Sequence, residues 1–374
     1  MTLFLSSYKK TSICDYFLAR VRFSKDGIQD DLNCGLNIAV INREKHAVTF
    51  HPWNKEYPIT DSEWVKWSTL HECDAISIEK SGINYCFYES QANEAVIVTG
   101  LACNTNCIMC PVSEQARNHT LTATKENIIS QVKYYGSEIN HVTITGGEPT
   151  LMMLDLPEVI KAVQYQCPNA AILILTNGRT FSVNAYANLF NDLMHKEDRI
   201  AIPIHGSTAE LHDAITQVRG AFFQTKHGLE NLSQGAMRIE IRIVVSKLNY
   251  QDVSAIVDFI LGLPRVSVVN FIALEMCGSA IVNKSCVWIE YPDAAQACED
   301  GIEKLIHAGI DTGLYNFPRC VVNHKYWAIC KDSISDYKIR FAPECNNCKV
   351  RSICGGVFNS TLSTGCFKAR PILE

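Results

Sequence analysis

The sequence predicts an α/β protein: a partial (β/α)6 barrel with a β-rich N-terminal domain before it and a cysteine-rich extension after it. Three observations carry that expectation. From Glu94 onward, short runs of β-branched residues alternate with helix-length segments. Ahead of them lie only short strand-like pieces separated by turn residues. From Pro318 onward, apolar periodicity gives way to loops and clustered cysteines.

Residues 1–92 hold Ala39-Val40-Ile41, Ala47-Val48-Thr49-Phe50 and Ala75-Ile76-Ser77-Ile78 as strand-like pieces, and are expected to form a small β-rich domain. Residues 93–317 hold the barrel. Ala95-Val96-Ile97-Val98-Thr99 reads as a buried strand. Ile128, Ile129, Val132 and Tyr135 recur at helical spacing, and Val142-Thr143-Ile144-Thr145 is the next strand, ended by Gly146-Gly147. Further strands are expected at Ala171–Thr176, Ile200–Ile204, Met237–Val245 and Val266–Ala273. A last helix opens at Pro292, turns Ala295, Cys298, Ile302, Leu305 and Ile306 inward, and stops at Gly309. Such alternation implies parallel pairing with right-handed crossovers, and chemistry at the C-terminal ends of the strands. Residues 318–374 are loop-rich and would need a metal to order them.

The chain has 374 residues, 47% hydrophobic and 20% charged, with a formal net charge of −5. That length buries a core without disulfide staples. The mildly acidic balance offers no basic footprint for nucleic acid. The stretch from Met1 to Lys10 lacks the charged start and long apolar run of a signal peptide, and no apolar run approaches the ~20 residues of a membrane span. A cytoplasmic protein that binds neither nucleic acid nor membrane is expected.

The unusual count is 17 cysteines. In a reducing compartment, clustered thiols more often bind metal or do catalysis than form disulfides. Cys14, Cys34, Cys73, Cys86, Cys167, Cys277, Cys286 and Cys298 are scattered and read as small buried hydrophobes. Cys103, Cys107 and Cys110 form one tight group, and Cys345, Cys348 and Cys354 another. The first, Cys-x3-Cys-x2-Cys, puts three thiolates on a loop just after a strand. A cubane has four irons, so three cysteines leave one iron open. Thiolates at this density select iron–sulfur or zinc. Zinc wants a fourth ligand close by, and the nearest histidine, His119, lies in a polar stretch.

This spacing, followed by Gly146-Gly147-Glu148-Pro149 one strand later, resembles the radical S-adenosylmethionine (SAM) superfamily over about residues 94–290. The resemblance implies a 4Fe–4S cluster on Cys103, Cys107 and Cys110, its open iron chelated by the amino and carboxylate groups of S-adenosyl-L-methionine. Once an electron donor reduces the cluster, C–S cleavage gives a 5′-deoxyadenosyl radical that takes hydrogen from substrate. Met109 stands where an aromatic residue usually packs on adenine. Gly146, Gly147, Glu148 and Pro149 match the turn that holds the SAM ammonium. Thr176 and Asn177 stand where ribose or carboxylate contacts are usual, though Asn177-Gly178 is also a common turn. His205 is implied as a contact of SAM or substrate, or else is a hydrogen-bonded structural histidine. Asn249 is implied near the SAM sugar. The run from Ile202-Pro203-Ile204-His205-Gly206 through Glu210-Leu211-His212-Asp213 to Arg219-Gly220-Ala221-Phe222 resembles the fourth-strand region of members that act on peptides and cofactor precursors.

Cys345-x2-Cys348-x5-Cys354, with Gly355-Gly356 behind it, reads in isolation as a structural zinc site completed by Cys320, Cys330 or Cys366. Appended to such a barrel, it resembles the extensions that hold an auxiliary 4Fe–4S cluster, with the spacing of the peptide-modifying SPASM group. That group's later Cys-x3-Cys is missing, which implies one auxiliary cluster, with Cys320 as its remote ligand and Cys330 and Cys366 outside it. The wider tail comprises Pro318-x-Cys320, His324-Lys325-Tyr326-Trp327, Ser333-Ile334-Ser335-Asp336-Tyr337 and Pro343-Glu344-Cys345 through Arg351-x2-Cys354-Gly355-Gly356. It resembles the His-Xaa-Ser system radical SAM maturases of the C-type. Those imply a ribosomally made precursor peptide as substrate and a paralogous radical SAM protein as partner. The N-terminal domain would dock a peptide leader along a free strand edge, or cap the barrel, or contact the paralogue. Two other readings stand beside this one: a radical SAM enzyme acting on a small molecule or cofactor precursor, and a non-catalytic iron–sulfur or zinc partner.

Overall fold

Tyr16–Arg22 (β1), Ile38–Asn42 (β2), Ala47–His51 (β3), Lys55–Pro58 (β4), Ala75–Glu79 (β5) and Asn84–Tyr88 (β6) form a sheet in the order β4-β3-β2-β1-β5-β6. The computed structural model describes residues 16–79, 84–119, 123–332 and 339–373, so Cys14 and the Ser333–Tyr337 part of the tail motif lie outside it. Within the first sheet only β1 and β2 pair in parallel. Phe17, Ala19 and Val21 alternate along β1 and bury with Ile41, Phe50, Trp67 and Ile76 in one core. Between them, Arg20 and Arg22 each reach a buried carboxylate, Asp31, at 2.7 Å. The helix Asp61–Trp67, which delivers Trp67 to this core, is started by a capping box between Thr60 and Glu63.

Eight further strands are Glu94–Val98 (β7), His141–Thr145 (β8), Ala171–Leu175 (β9), Arg199–Pro203 (β10), Arg238–Val245 (β11), Val266–Ala273 (β12), Asp311–Tyr315 (β13) and Cys330–Lys331 (β14). They lie in sequence order across one sheet, a curled parallel half-barrel. The alternation that forms it is direct. Ile239, Ile241, Ile243 and Val245 are at most 1% exposed, as are Ile200 and Ile202 on the neighbouring strand, and apolar faces of this kind are what parallel strands bury under their crossover helices. The first six of these strands are the six the sequence predicts. β13 and β14 extend the sheet, and a short ribbon of Ile339–Arg340 (β15) and Val357–Phe358 (β16) follows.

The chain divides into two compact units. The first takes in the described residues of Met1–Val98, Ala123–Ile144 and Leu154–Ile172; the second takes in those of Thr99–Thr122, Thr145–Met153 and Leu173–Glu374. Inside the first unit, the β-rich sheet is tied to the segment after the helix Lys125–Val132. The Tyr134 hydroxyl donates to the Leu18 carbonyl at 3.0 Å and accepts from the Asn37 N–H at 3.1 Å, while its ring meets Phe87 edge-on. All the residues discussed below as a candidate site belong to the second unit.

Candidate functional site

The cysteine loop leaves β7 and is clamped at once by the turn after β8. Thr99 N–H donates to Thr145 O at 2.8 Å, Gly147 N–H to Gly100 O at 2.9 Å, and Glu148 N–H to Ala102 O at 2.9 Å. A Cβ on Gly147 would lie 2.2 Å from the carbonyl oxygens of both Leu101 and Ala102, and one on Gly146 would lie 2.5 Å from Gly100 O. The backbone approach therefore requires the two glycines. Farther along, Asn106 N–H donates to Thr216 O, Ile108 N–H to Ile215 O, and Ser279 N–H to Cys110 O, all within 3.0 Å. The buried Arg117 guanidinium bonds Val112 O and Asn106 Oδ1. Three cysteines sit on a loop whose backbone is held from four directions.

Cys103 Sγ lies 3.1 Å from the Thr105 hydroxyl, and the Cys107 thiol points to the same hydroxyl at 3.7 Å. Burial pushes the Cys107 thiol up to about 12. Burial also raises Cys103, against the opposing hydrogen bonds of Thr105. Ionising these thiols thus needs a compensating cation, as metal binding provides. Met109 is buried in an apolar cluster with Ile215, Leu274, Met276, Ala280 and Val287, against which Cys107 also packs.

The Glu148 carboxylate is fully occupied by protein. Oε1 accepts from Thr150 N–H and hydroxyl and from the Thr176 hydroxyl, and Oε2 from the Asn177 N–H, at 2.6–3.0 Å. The Asn177 amide in turn donates to Asn104 Oδ1 at 2.6 Å, and Arg179 reaches the Asn104 carbonyl. Pro149, buried beside Glu148, opens a short 3-10 turn. The structure thus brings Cys103, Gly146, Gly147, Glu148, Pro149, Thr176 and Asn177 into one bonded assembly.

His205 and Asn249 form a second assembly. The Asn249 amide donates to His205 O and Val244 O, and its oxygen accepts from Ser246, so it straps the end of β11 to the end of β10. His205 N–H donates to His212 Nδ1 at 3.3 Å. Burial, then the neighbouring His212, lowers His205 to about 3. Burial lowers His212 to about 4, with Asp213 opposing and Arg179 adding to the depression. His205 Nδ1 is buried with no hydrogen-bond partner.

In the C-terminal extension, Cys320, Cys345, Cys348 and Cys354 line one cavity, together with Arg340, Arg351 and Arg370. Each sulfur meets a backbone group: Arg319 N–H donates to Cys354 and Ile372 N–H to Cys348, both at 3.4 Å, and the backbones of Arg370 and Ala342 bond Cys320 and Cys345. Cys330 instead bonds Tyr326 O, and Cys366 packs in the cluster with Met109. Among the described residues, no three His, Cys, Asp or Glu side chains form a group able to hold a single metal ion. Nor is any helix among them long and apolar enough to cross a membrane.

Residues 97–260 match the family model of the Radical SAM superfamily. That segment is a radical SAM domain. The chain is similar over 179 residues, at 29% identity, to the probable GTP 3′,8-cyclase of Saccharolobus islandicus (strain Y.N.15.51), covering 47% of this chain and 55% of that protein. It is similar over 156 residues, at 27% identity, to the AdoMet-dependent heme synthase of Methanosarcina barkeri, covering 41% and 42%. The chain spans about half the length of the curated relatives it matches. Among solved structures, Streptococcus suis SuiB bound to its precursor peptide SuiA is similar at 15% identity over 64% of this chain and 51% of that one, with a TM-score of 0.49.

Radical SAM domains hold a 4Fe–4S cluster and SAM, and the residues here suit both. The donor set is three soft thiols on one loop, the ligand type such clusters take. The Gly146-Gly147 turn lies flush against the backbone of that loop, and His205 Nδ1 is a buried polar atom left open. Sequence reasoning missed several residues that shape the radical SAM domain. Thr105 and Arg117 brace the cysteine loop. Glu240, fully buried on β11, pairs with Arg242 at 2.7 Å and Arg199 at 2.9 Å and accepts from Asn270 at 2.8 Å. Arg242 was visible on its strand, but its buried partner two residues earlier carries no motif.

Proposed function

We propose that this chain is a radical SAM enzyme that modifies a ribosomally made precursor peptide of the His-Xaa-Ser type. Cys103, Cys107 and Cys110 would hold the SAM-cleaving 4Fe–4S cluster, and Cys320, Cys345, Cys348 and Cys354 a fully protein-ligated auxiliary one. When bound, the cluster and SAM supply one-electron C–S cleavage and hence hydrogen abstraction from substrate. The chain's own residues position and enclose. The Gly146-Gly147 turn offers backbone groups to the SAM ammonium. Glu148, its charge satisfied inside the protein, fixes that turn against Thr176 and Asn177. Met109 and its apolar neighbours keep water from the loop.

The observation that carries the reading is the convergence of four cysteines on one arginine-rimmed cavity outside the radical SAM domain. Four thiolates around a cubane leave net negative charge, which three arginines and four backbone hydrogen bonds oppose. A tail of that kind, with the motifs around Pro318, His324 and Pro343, supports a peptide substrate. A precursor peptide, an electron donor and a paralogous radical SAM protein are the proposed partners. The names of the curated relatives, a GTP cyclase and a heme synthase, support a second reading, a nucleotide or tetrapyrrole substrate. Anaerobic reconstitution, iron and zinc analysis, and incubation with SAM and either a His-Xaa-Ser peptide or GTP separate the two.

A further inference from the structure

The three cysteines of the loop do not share one environment. Cys107 packs against the apolar cluster around Met276. Cys103 is surrounded by donors: the Thr105 hydroxyl at 3.1 Å, the Thr105 backbone, and the Asn177 side-chain amide at 4.0 Å. Thr105 is itself buried, so its hydroxyl has little access to water. The Cys107 thiol donates to Thr105 Oγ1, and between that oxygen and the Cys103 sulfur either atom can be the donor. Once the sulfurs are thiolates, the hydroxyl can only donate, and the nearer sulfur is Cys103.

We infer that Thr105 is a positioning residue that sets the reduction potential of the cluster held by this loop, by donating its hydroxyl hydrogen bond to the Cys103 thiolate. The inference rests on the assignment of Cys103, Cys107 and Cys110 as cluster ligands. A hydrogen bond to a ligand sulfur withdraws electron density and favours the reduced state, and it acts most strongly where water is excluded. The hydroxyl therefore makes the cluster easier to reduce, the step on which SAM cleavage depends.

The test compares the full-length reconstituted protein with Thr105→Val, which keeps the branched shape and backbone N–H, and with Thr105→Ser, which keeps the hydroxyl. Cys345→Ser/Cys348→Ser/Cys354→Ser forms of all three are used, so that one cluster is read. The readouts are iron per chain and the midpoint potential followed by electron paramagnetic resonance, without substrate. The expected result is equal iron in all three, a more negative potential for Thr105→Val, and a near-parental value for Thr105→Ser. Loss of the cluster from Thr105→Val alone overturns the inference, since the hydroxyl would then hold the cluster rather than set its potential. An unchanged potential in Thr105→Val overturns it, as do equal shifts or equal iron loss in both variants. If the parent itself takes up no cluster, the ligand assignment fails first.

Discussion

The carboxylate of Glu148 accepts a hydrogen bond from the backbone N–H of Asn177 at 2.7 Å, joining the turn after β8 to the end of β9. The same carboxylate takes three further bonds. An acidic residue inside a turn proposed for SAM is here a bracket, its charge answered from within.

Glu148→Gln exchanges an acceptor for an amide that must face the Asn177 N–H or the threonine hydroxyls. One buried donor is left unpaired, at a cost of about 2–3 kcal/mol. Denaturant unfolding of the metal-free chain should show that loss, whereas an unchanged midpoint would mean the bracket does not stabilise the fold.

Gly147→Ala should be more disruptive to binding than to folding. Its methyl would meet two carbonyl oxygens at 2.2 Å, so the turn must move off the cysteine loop at a cost of about 3 kcal/mol. Equilibrium dialysis of the reconstituted protein should show SAM affinity lost while iron content stays near normal. Wild-type affinity would show that the turn does not hold SAM.

The His205–His212 pair predicts an acid-sensitive fold. Both folded-state values lie below the ordinary histidine value, so the unfolded chain binds more protons below about pH 6.5. Stability is therefore fully present above that pH and falls as the pH drops toward 4, by up to about 1.4 kcal/mol per pH unit for each group. Glu240 adds a lower window. Burial raises it, but Arg242, Arg199 and Asn270 together hold it below the ordinary carboxylate value, so its contribution is lost only at pH values below about 4.5. Unfolding free energies measured from pH 7.5 to 5 check the histidine part, and His212→Gln should flatten the slope.

Replacing Cys345, Cys348 and Cys354 together by Ser should remove about four irons per chain and no zinc. Cys330→Ser and Cys366→Ser should remove none, since neither lines the cavity. Metal analysis that finds one zinc lost instead would assign the cavity a structural ion.

The barrel was legible because burial writes a period into the chain: Ile239, Ile241 and Ile243 mark a buried face wherever they are read. Half of the N-terminal sheet was not. β1 interleaves Arg20 and Arg22 with its apolar residues, and their shared partner Asp31 lies on a separate helix. β4 is an edge strand of Lys55-Glu56-Tyr57-Pro58, polar enough to read as a turn. At the site, the cysteine spacing and the double glycine were visible because each requirement is local. Thr105, Arg117 and the Glu148–Thr176 bond were not, because a hydrogen bond between distant residues leaves no pattern in the sequence.

The most direct measurement is anaerobic incubation of the reduced, reconstituted full chain with SAM and a peptide carrying His-Xaa-Ser repeats, followed by mass spectrometry of both products. The account predicts 5′-deoxyadenosine, a changed peptide mass, and loss of both in the Cys103→Ala/Cys107→Ala/Cys110→Ala variant. SAM cleavage that survives the triple substitution, or a cluster-loaded chain that cleaves SAM and alters GTP while leaving the peptide untouched, would contradict it.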